Sequence, residues 1–319
     1  MTTPFHSDAP LPLRLTLKAA AAQKDGLHFA ACPVVSPAFR TVTVTLDGKT
    51  TIRAWESGEP VAFEFKLTQG VHRLTIDLGG SWPAGVVTLP RTTESIAGIL
   101  PTIADPATAL ADPETPWLAP KATLPQLTSI FPSAFVRNTH RTSFALFFAG
   151  ARQLAEIPEA LFFPTTLVRS FAGTFAYSGL RRLSGQQFNC TPLATDFSDC
   201  FRATPLATVP EELFSETPLA RNFTRTFADS ELSVLPEGLF ASVACEGLYT
   251  ETFARTRIAQ VPAHLMSRCR PLDVDGMFAP RGIAPSDPLY LKTAAHMPPE
   301  FLRDTVRASG VPTKAFDRF

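Results

Sequence analysis

Between residues 12 and 90, apolar and polar positions alternate with period two. The alternation runs through Leu13-Arg-Leu-Thr-Leu17, Thr41-Val-Thr-Val-Thr-Leu46, Thr51-Ile-Arg-Ala-Trp55, Val61-Ala-Phe-Glu-Phe-Lys-Leu67 and Arg73-Leu-Thr-Ile-Asp-Leu78. Turn-forming residues separate these runs: Asp47-Gly48, Gly58-Glu-Pro60, Gln69-Gly70 and Gly79-Gly80. Period two with one apolar face predicts antiparallel strands, about five to seven of them, in a small β-sandwich over residues 1–97. Residues 98–126 are rich in Pro and Ala and read as a connector or cap.

From residue 127 the pattern changes to an internal repeat, the feature that most constrains a fold. Leu154-Ala-Glu-Ile-Pro-Glu-Ala-Leu-Phe162, Leu206-Ala-Thr-Val-Pro-Glu-Glu-Leu-Phe214 and Leu232-Ser-Val-Leu-Pro-Glu-Gly-Leu-Phe240 are copies of one unit. The anchors Leu154, Leu180, Leu206, Leu232 and Ile258 lie 26 residues apart, and Leu127 starts an earlier copy one residue longer. Aromatic columns recur at Phe135/162/188/214/240, at Phe144/171/197/223 with Tyr249, and at Phe148/175/201/227/253. They hold 14 of the 18 phenylalanines that lie between residues 127 and 282, out of 26 in the chain, so copying of the unit explains the excess of Phe over the 3 Tyr and 3 Trp.

Each unit predicts one short parallel strand, Leu-x-x-Ile/Val/Leu, stopped by proline. Pro158, Pro210, Pro236 and Pro262 then open a helical turn, with Glu159, Glu211 and Glu237 at its positive end. The Phe pairs spaced by four residues predict a second short helix. The expected fold class is therefore an α/β solenoid of about six units over 127–282, with a C-terminal cap over 283–319. Thr174, Cys200, Thr226 and Thr252 form a small polar column, expected to satisfy loop backbone groups.

The pattern Leu-x-x-Ile-Pro-x-x-Leu-Phe followed by Phe-x-x-Thr-Phe resembles the BspA-like, or Treponema-type, leucine-rich repeats. Asp199-Cys200-Phe201 matches the Cys-Phe form often found in that family. The resemblance covers about half of the chain, and the N-terminal region is similar in pattern to the immunoglobulin-like or PKD-like modules that often precede such repeats. It implies a bacterial binding protein, on a cell surface or on a phage or prophage particle as tail fibre or virion protein.

Lys+Arg and Asp+Glu both number 29, and this zero balance argues against nucleic-acid or anionic-membrane binding. No secretory signal is visible at the start of the chain, and the longest apolar runs fall short of a membrane span. The five cysteines (Cys32, Cys190, Cys200, Cys245 and Cys269) lack paired spacing and read as free thiols. Gly48-Lys49-Thr50 is the end of a phosphate loop without its opening glycine and reads as a turn. Asp273-Val-Asp275-Gly276 lacks a calcium loop's third ligand and closing Glu. No metal site, cofactor or catalytic motif is expected.

The expected function is adhesion or receptor recognition, with a protein or glycan as receptor, other surface or virion subunits as further partners, and homo-oligomerisation left open. An intracellular or injected interaction scaffold, and an enzyme with an unrecognised site, remain as alternatives. The unit beginning at Leu180 lacks the proline and reads Ser184-Gly185-Gln186-Gln187. A unit that breaks its own local rule is where function is expected. The candidate ligand-binding residues are Arg181, Arg182, Gln186 and Gln187, with Glu156 and Thr208 in the neighbouring units.

Overall fold

The computed structural model describes residues 13–29, 40–55, 61–77, 87–97, 124–132, 134–136, 141–159, 161–244, 246–258, 261–262, 265–266 and 268–279. The expected cap at 283–319, and the expected connector apart from 124–126, lie outside these residues.

The alternating region folds as eight strands: β1 (Leu13–Ala19), β2 (Gln23–Phe29), β3 (Arg40–Leu46), β4 (Lys49–Trp55), β5 (Val61–Leu67), β6 (Gly70–Asp77), β7 (Val87–Thr88) and β8 (Thr93–Ala97). Together with β9 (Ser129–Ile130), one sheet has the order β4-β3-β6-β1-β8-β9, and the other is β5-β2-β7. All pairings among β1–β8 are antiparallel. Alternate residues Leu13, Leu15 and Leu17 of one sheet and Phe63, Phe65 and Leu67 of the other share one buried cluster. Asp47 and Gly48 close the β3–β4 hairpin with φ of 49° and 82°, the pair of positive values that a two-residue type I′ turn requires. Gly48-Lys49 is thus a hairpin turn and strand start.

β9 opens the repeat region and pairs in parallel with β8, Ser95 opposite Ser129 and Ile96 opposite Ile130. The repeats follow as coils stacked on one another. The expected α/β solenoid is not what forms: among the described residues there is no helix, and the larger sheets are antiparallel.

The physical reason lies in two columns of left-handed residues. Leu146, Gly173, Asp199, Arg225 and Glu251 have φ between 51° and 59°, and Gly150, Tyr177, Ala203, Asp229 and Arg255 between 54° and 71°. A right-handed helix cannot pass through such residues. The chain instead makes overlapping turns: the N–H groups of Thr174, Ala176 and Ser178 donate to the carbonyls of Phe171, Gly173 and Phe175 at 3.0–3.1 Å. The intervening N–H groups, of Phe171, Gly173, Phe175 and Tyr177, donate to Asp196, Ser198, Cys200 and Arg202 of the next coil at 2.7–2.9 Å. A helix would have directed them back to residue i−4. Two turns return the chain to the same face after four residues, so the Phe pair stays on one side without a helix.

The Pro-Glu-x-Leu segments are likewise single turns, Leu161, Leu213, Leu239 and Leu265 donating to Pro158, Pro210, Pro236 and Pro262 at 3.2–3.4 Å. After the first copy, where β9 ends the segment Leu127–Ile130, the described Leu-x-x-Ile segments are not strands either. Each holds its neighbour through isolated contacts such as Arg181 N–H to Ala155 at 2.9 Å and Ser233 N–H to Ala207 at 3.0 Å. The proline that follows has no N–H with which to continue a ladder. Parallel bridges form elsewhere, along Ser143, Ser170, Asp196, Asn222 and Leu248, and between β10 (Glu246–Leu248) and β11 (Arg270–Asp273). In that column Ser143, Ser170, Asp196 and Asn222 accept the N–H two residues on, which fixes each turn.

Aromatic rings fill the space inside the coils. Phe148, Phe175, Phe201, Phe227 and Phe253 stack nearly parallel at 5.4–5.7 Å and are buried. Phe144, Phe171, Phe197, Phe223 and Tyr249 form a second stack, and Phe135, Phe162, Phe188, Phe214 and Phe240 a third. Edge contacts such as Phe188 on Phe197, 4.9 Å, join the stacks. The threonine column satisfies backbone as expected. Thr174, Thr226 and Thr252 donate to Phe144, Phe197 and Phe223 of the preceding coil at 2.9–3.0 Å.

Candidate functional site

The left-handed columns carry the densest charge in the repeat region. Arg225 donates two nitrogens to Asp199 at 2.9 and 2.8 Å, and Arg255 does the same to Asp229 at 2.7 and 3.2 Å. Arg202 reaches both Asp199 and Asp229 at 3.3 Å, and Arg255 also reaches Glu251 at 3.3 Å. The bond to Asp199 holds the Arg225 guanidinium above its ordinary range, and the bond to Asp229 does so for Arg255. Burial alone would raise the Asp229 carboxyl, but Arg255 and Arg202 bring it below the usual range. Three guanidinium groups and three carboxylates are thereby matched across three coils. The ladder is an internal staple, with its charge directed at its own partners.

The coil that starts at Leu180 differs. Arg181 and Arg182 are exposed. Glu156, Arg182, Thr208 and Val234 form one exposed row along successive coils. Within it Arg182 pairs with Glu156 at 3.5 Å, both side chains largely in solvent. Arg181, Ala207 and Ser233, one residue earlier in their coils, are exposed too. Both positions face outward because the segment is not a strand, and alternation does not apply.

Beyond them the side chains divide. Gln186 is exposed and accepts a hydrogen bond from the Asn189 amide. Gln187 is buried, only 1% exposed, and stands in the column of Leu161, Leu213, Leu239 and Leu265. Its Nε2 donates to Pro158 O at 3.1 Å, while Oε1 has no partner among the described residues. Ser184, in the proline's place, donates to Glu159 at 2.7 Å. Gly185 replaces the usual Glu, and a Cβ there would press on Glu212 at 3.2 Å.

A cavity of about 390 Å³ opens between this coil and the one before it, lined by Glu159, Phe162, Phe163, Gln186, Gln187, Asn189 and Cys190. Sequence reasoning singled out the two glutamines and missed the rest. The available signal was Phe163: its column otherwise holds Val136, Asn189, Ser215 and Ala241, and its ring is 54% exposed. Arg181, Arg182, Glu156 and Thr208 are not among the lining residues. They form the exposed row instead.

Two further sequence features resolve as structural. Cys200 is fully buried in the threonine column, and burial pushes its thiol well above the ordinary range. Asp273 accepts the Asp275 N–H at 2.8 Å and the Thr250 hydroxyl at 2.7 Å, fixing a turn. Among the described residues no three His, Cys, Asp or Glu side chains cluster as a metal ion would need.

No protein-family model matches the chain, and no curated protein matches it. Among solved structures, that of the Toll–Spatzle complex, described as a hub in Drosophila development and innate immunity, aligns with a TM-score of 0.30 at 15% identity. The alignment covers 47% of this chain and 23% of that one, and a likeness of this size carries no argument about fold or partner.

Proposed function

We propose that the chain is a non-catalytic recognition module that binds a receptor through the coil starting at Leu180. The observation that supports this reading is local. In one stretch of one coil the repeat loses its Pro and Glu, gains two exposed arginines and an exposed Gln186, and borders an open cavity. Stacked coils of this kind hold their core columns constant and carry recognition on the positions that vary. Arginines at such positions present fixed planar donors to carboxylates and hydroxyls of a partner.

The test is binding of fluorescently labelled protein to bacterial and animal cells, with Arg181→Ala/Arg182→Ala as the variant. The Arg182–Glu156 pair lies in solvent, where such pairs contribute about 0–1 kcal/mol, so the variant keeps its fold. Loss of cell binding at an unchanged melting temperature is expected. Undiminished binding by the double variant refutes the reading.

A further inference from the structure

The cavity beside Gln187 has a composition of its own. Its lining contains one carboxylate, Glu159, and no lysine or arginine. Gln186 and Asn189 supply amides, and Phe163 supplies a ring face open to solvent. Gln187 introduces an amide where four other coils have leucine, and its buried Oε1 has no donor among the described residues. A buried acceptor without a donor destabilises a core, and leucine would have avoided it. Such a group needs a donor from outside the described residues, which a water or a ligand supplies.

From this set we infer that the cavity takes a neutral pyranose unit of a glycan. The inference rests on the reading of the chain as a recognition module and names the chemistry of its ligand. An acceptor lacking a donor calls for an O–H or N–H group on the ligand, which sugar hydroxyls supply and a phosphate or carboxylate does not. Glu159 adds a second acceptor and repels anions. The amides of Gln186 and Asn189 offer both donors and acceptors. Phe163 offers an apolar face for the ring's C–H groups. The volume lies within the range of small-ligand sites, about 300–1,000 Å³. Arg181 and Arg182, outside the cavity, are left to contact the rest of the receptor.

The inference is tested on the full chain by saturation-transfer NMR with glucose, galactose, mannose and N-acetylglucosamine, and with sialic acid as the anionic comparison. Transfer to at least one neutral sugar and none to sialic acid is expected. Phe163→Ala weakens that binding at least tenfold. Gln187→Leu restores the column of the other coils, so it folds, raises the melting temperature and abolishes sugar binding. Silence for every neutral sugar, a preference for sialic acid, or full binding by Gln187→Leu overturns the inference. A chain silent on sugars that still binds cells through Arg181 and Arg182 sinks the sugar assignment alone. Loss of both sinks the recognition reading as well.

Discussion

Ala203 gives a direct test of how the coils are built, because a helix and a left-handed turn predict opposite signs. Its φ is 54°, and its N–H donates to Ala228 of the next coil at 2.8 Å. A left-handed L-residue costs about 1–2 kcal/mol, a strain that glycine does not have. Ala203→Gly removes it but gives the unfolded chain extra freedom worth about 0.4–1 kcal/mol. The net is a gain of roughly 0.5–1 kcal/mol, or a rise of about 1–4 °C in melting temperature for a domain of this size. Ala228, left-handed neither in its own right nor by its column, is the control. It is fully buried, so Ala228→Gly loses a methyl contact of about 0.8 kcal/mol as well as backbone entropy, and destabilises by about 1.5 kcal/mol. Thermal and urea unfolding followed by circular dichroism measure both. If Ala203→Gly is as destabilising as Ala228→Gly, the left-handed column is wrong and the helical reading returns.

Three more outcomes are expected. Phe201→Ala removes a buried ring held between Phe175 and Phe227 at 5.7 and 5.5 Å and costs about 3–5 kcal/mol in urea unfolding, whereas Phe163→Ala costs under about 1 kcal/mol. Peptide mapping after iodoacetamide at pH 8 finds Cys200 unmodified in the folded chain and modified only in urea, since burial raises its thiol well above the ordinary range. His72 bonds Thr68 O at 2.9 Å and Asp47 at 2.6 Å, and these bonds raise its pKa. Burial works against the Asp47 carboxyl, but bonds from the Arg73 N–H and His72 bring it below its ordinary value. The histidine's contribution is complete below about pH 6.5 and disappears as pH rises through its raised folded value. The aspartate's is complete above about pH 3.9 and disappears as pH falls through its lowered one. Urea midpoints fall from pH 6 to pH 9 in the wild type and fall less in His72→Gln. An NMR titration of His72 below pH 6.5 contradicts this.

The 26-residue period was legible because identical rings must meet identical rings across coils, and any slip would separate the Phe columns. The β1, β3, β5 and β6 strands were legible because one face is buried and alternation reports it, whereas β4 alternates although its described side chains, Ile52 included, are exposed. The turn geometry was not. A Phe pair spaced by four fits a helix and a pair of turns equally well, and only Gly150 and Gly173 among the ten left-handed positions are glycine. Charged residues such as Asp199, Arg225 and Asp229 sit there instead, and their ion pairs tie the coils together. The parallel bridges were placed on Leu-x-x-Ile because that segment is apolar, yet its leucine anchors the core while the following proline ends hydrogen bonding. At the candidate site, the Gln pair looked like two outward donors. The leucine column through Leu161, Leu213 and Leu239 already implied that Gln187 turns inward. What no column could give is that its Oε1 is left unpaired beside a cavity.

The inter-coil bonds have an electrical consequence. In every coil from Phe144 to Arg255 four N–H groups donate toward the C-terminal side, while others, such as those of Arg169, Arg181, Thr195 and Ser233, donate back to the preceding coil. The forward groups outnumber the backward ones, so the peptide dipoles cancel only in part along the axis of the stack. The array has a carbonyl-rich, negative end at its first coil and an amide-rich, positive end at its last. This sense is opposite to that of an α-helix, whose N–H groups face its start. Arg141 occupies the negative end: its Nε donates to Ser143 O at 2.5 Å, and its guanidinium lies over Phe144 at 4.5 Å. A cation at that end complements the field.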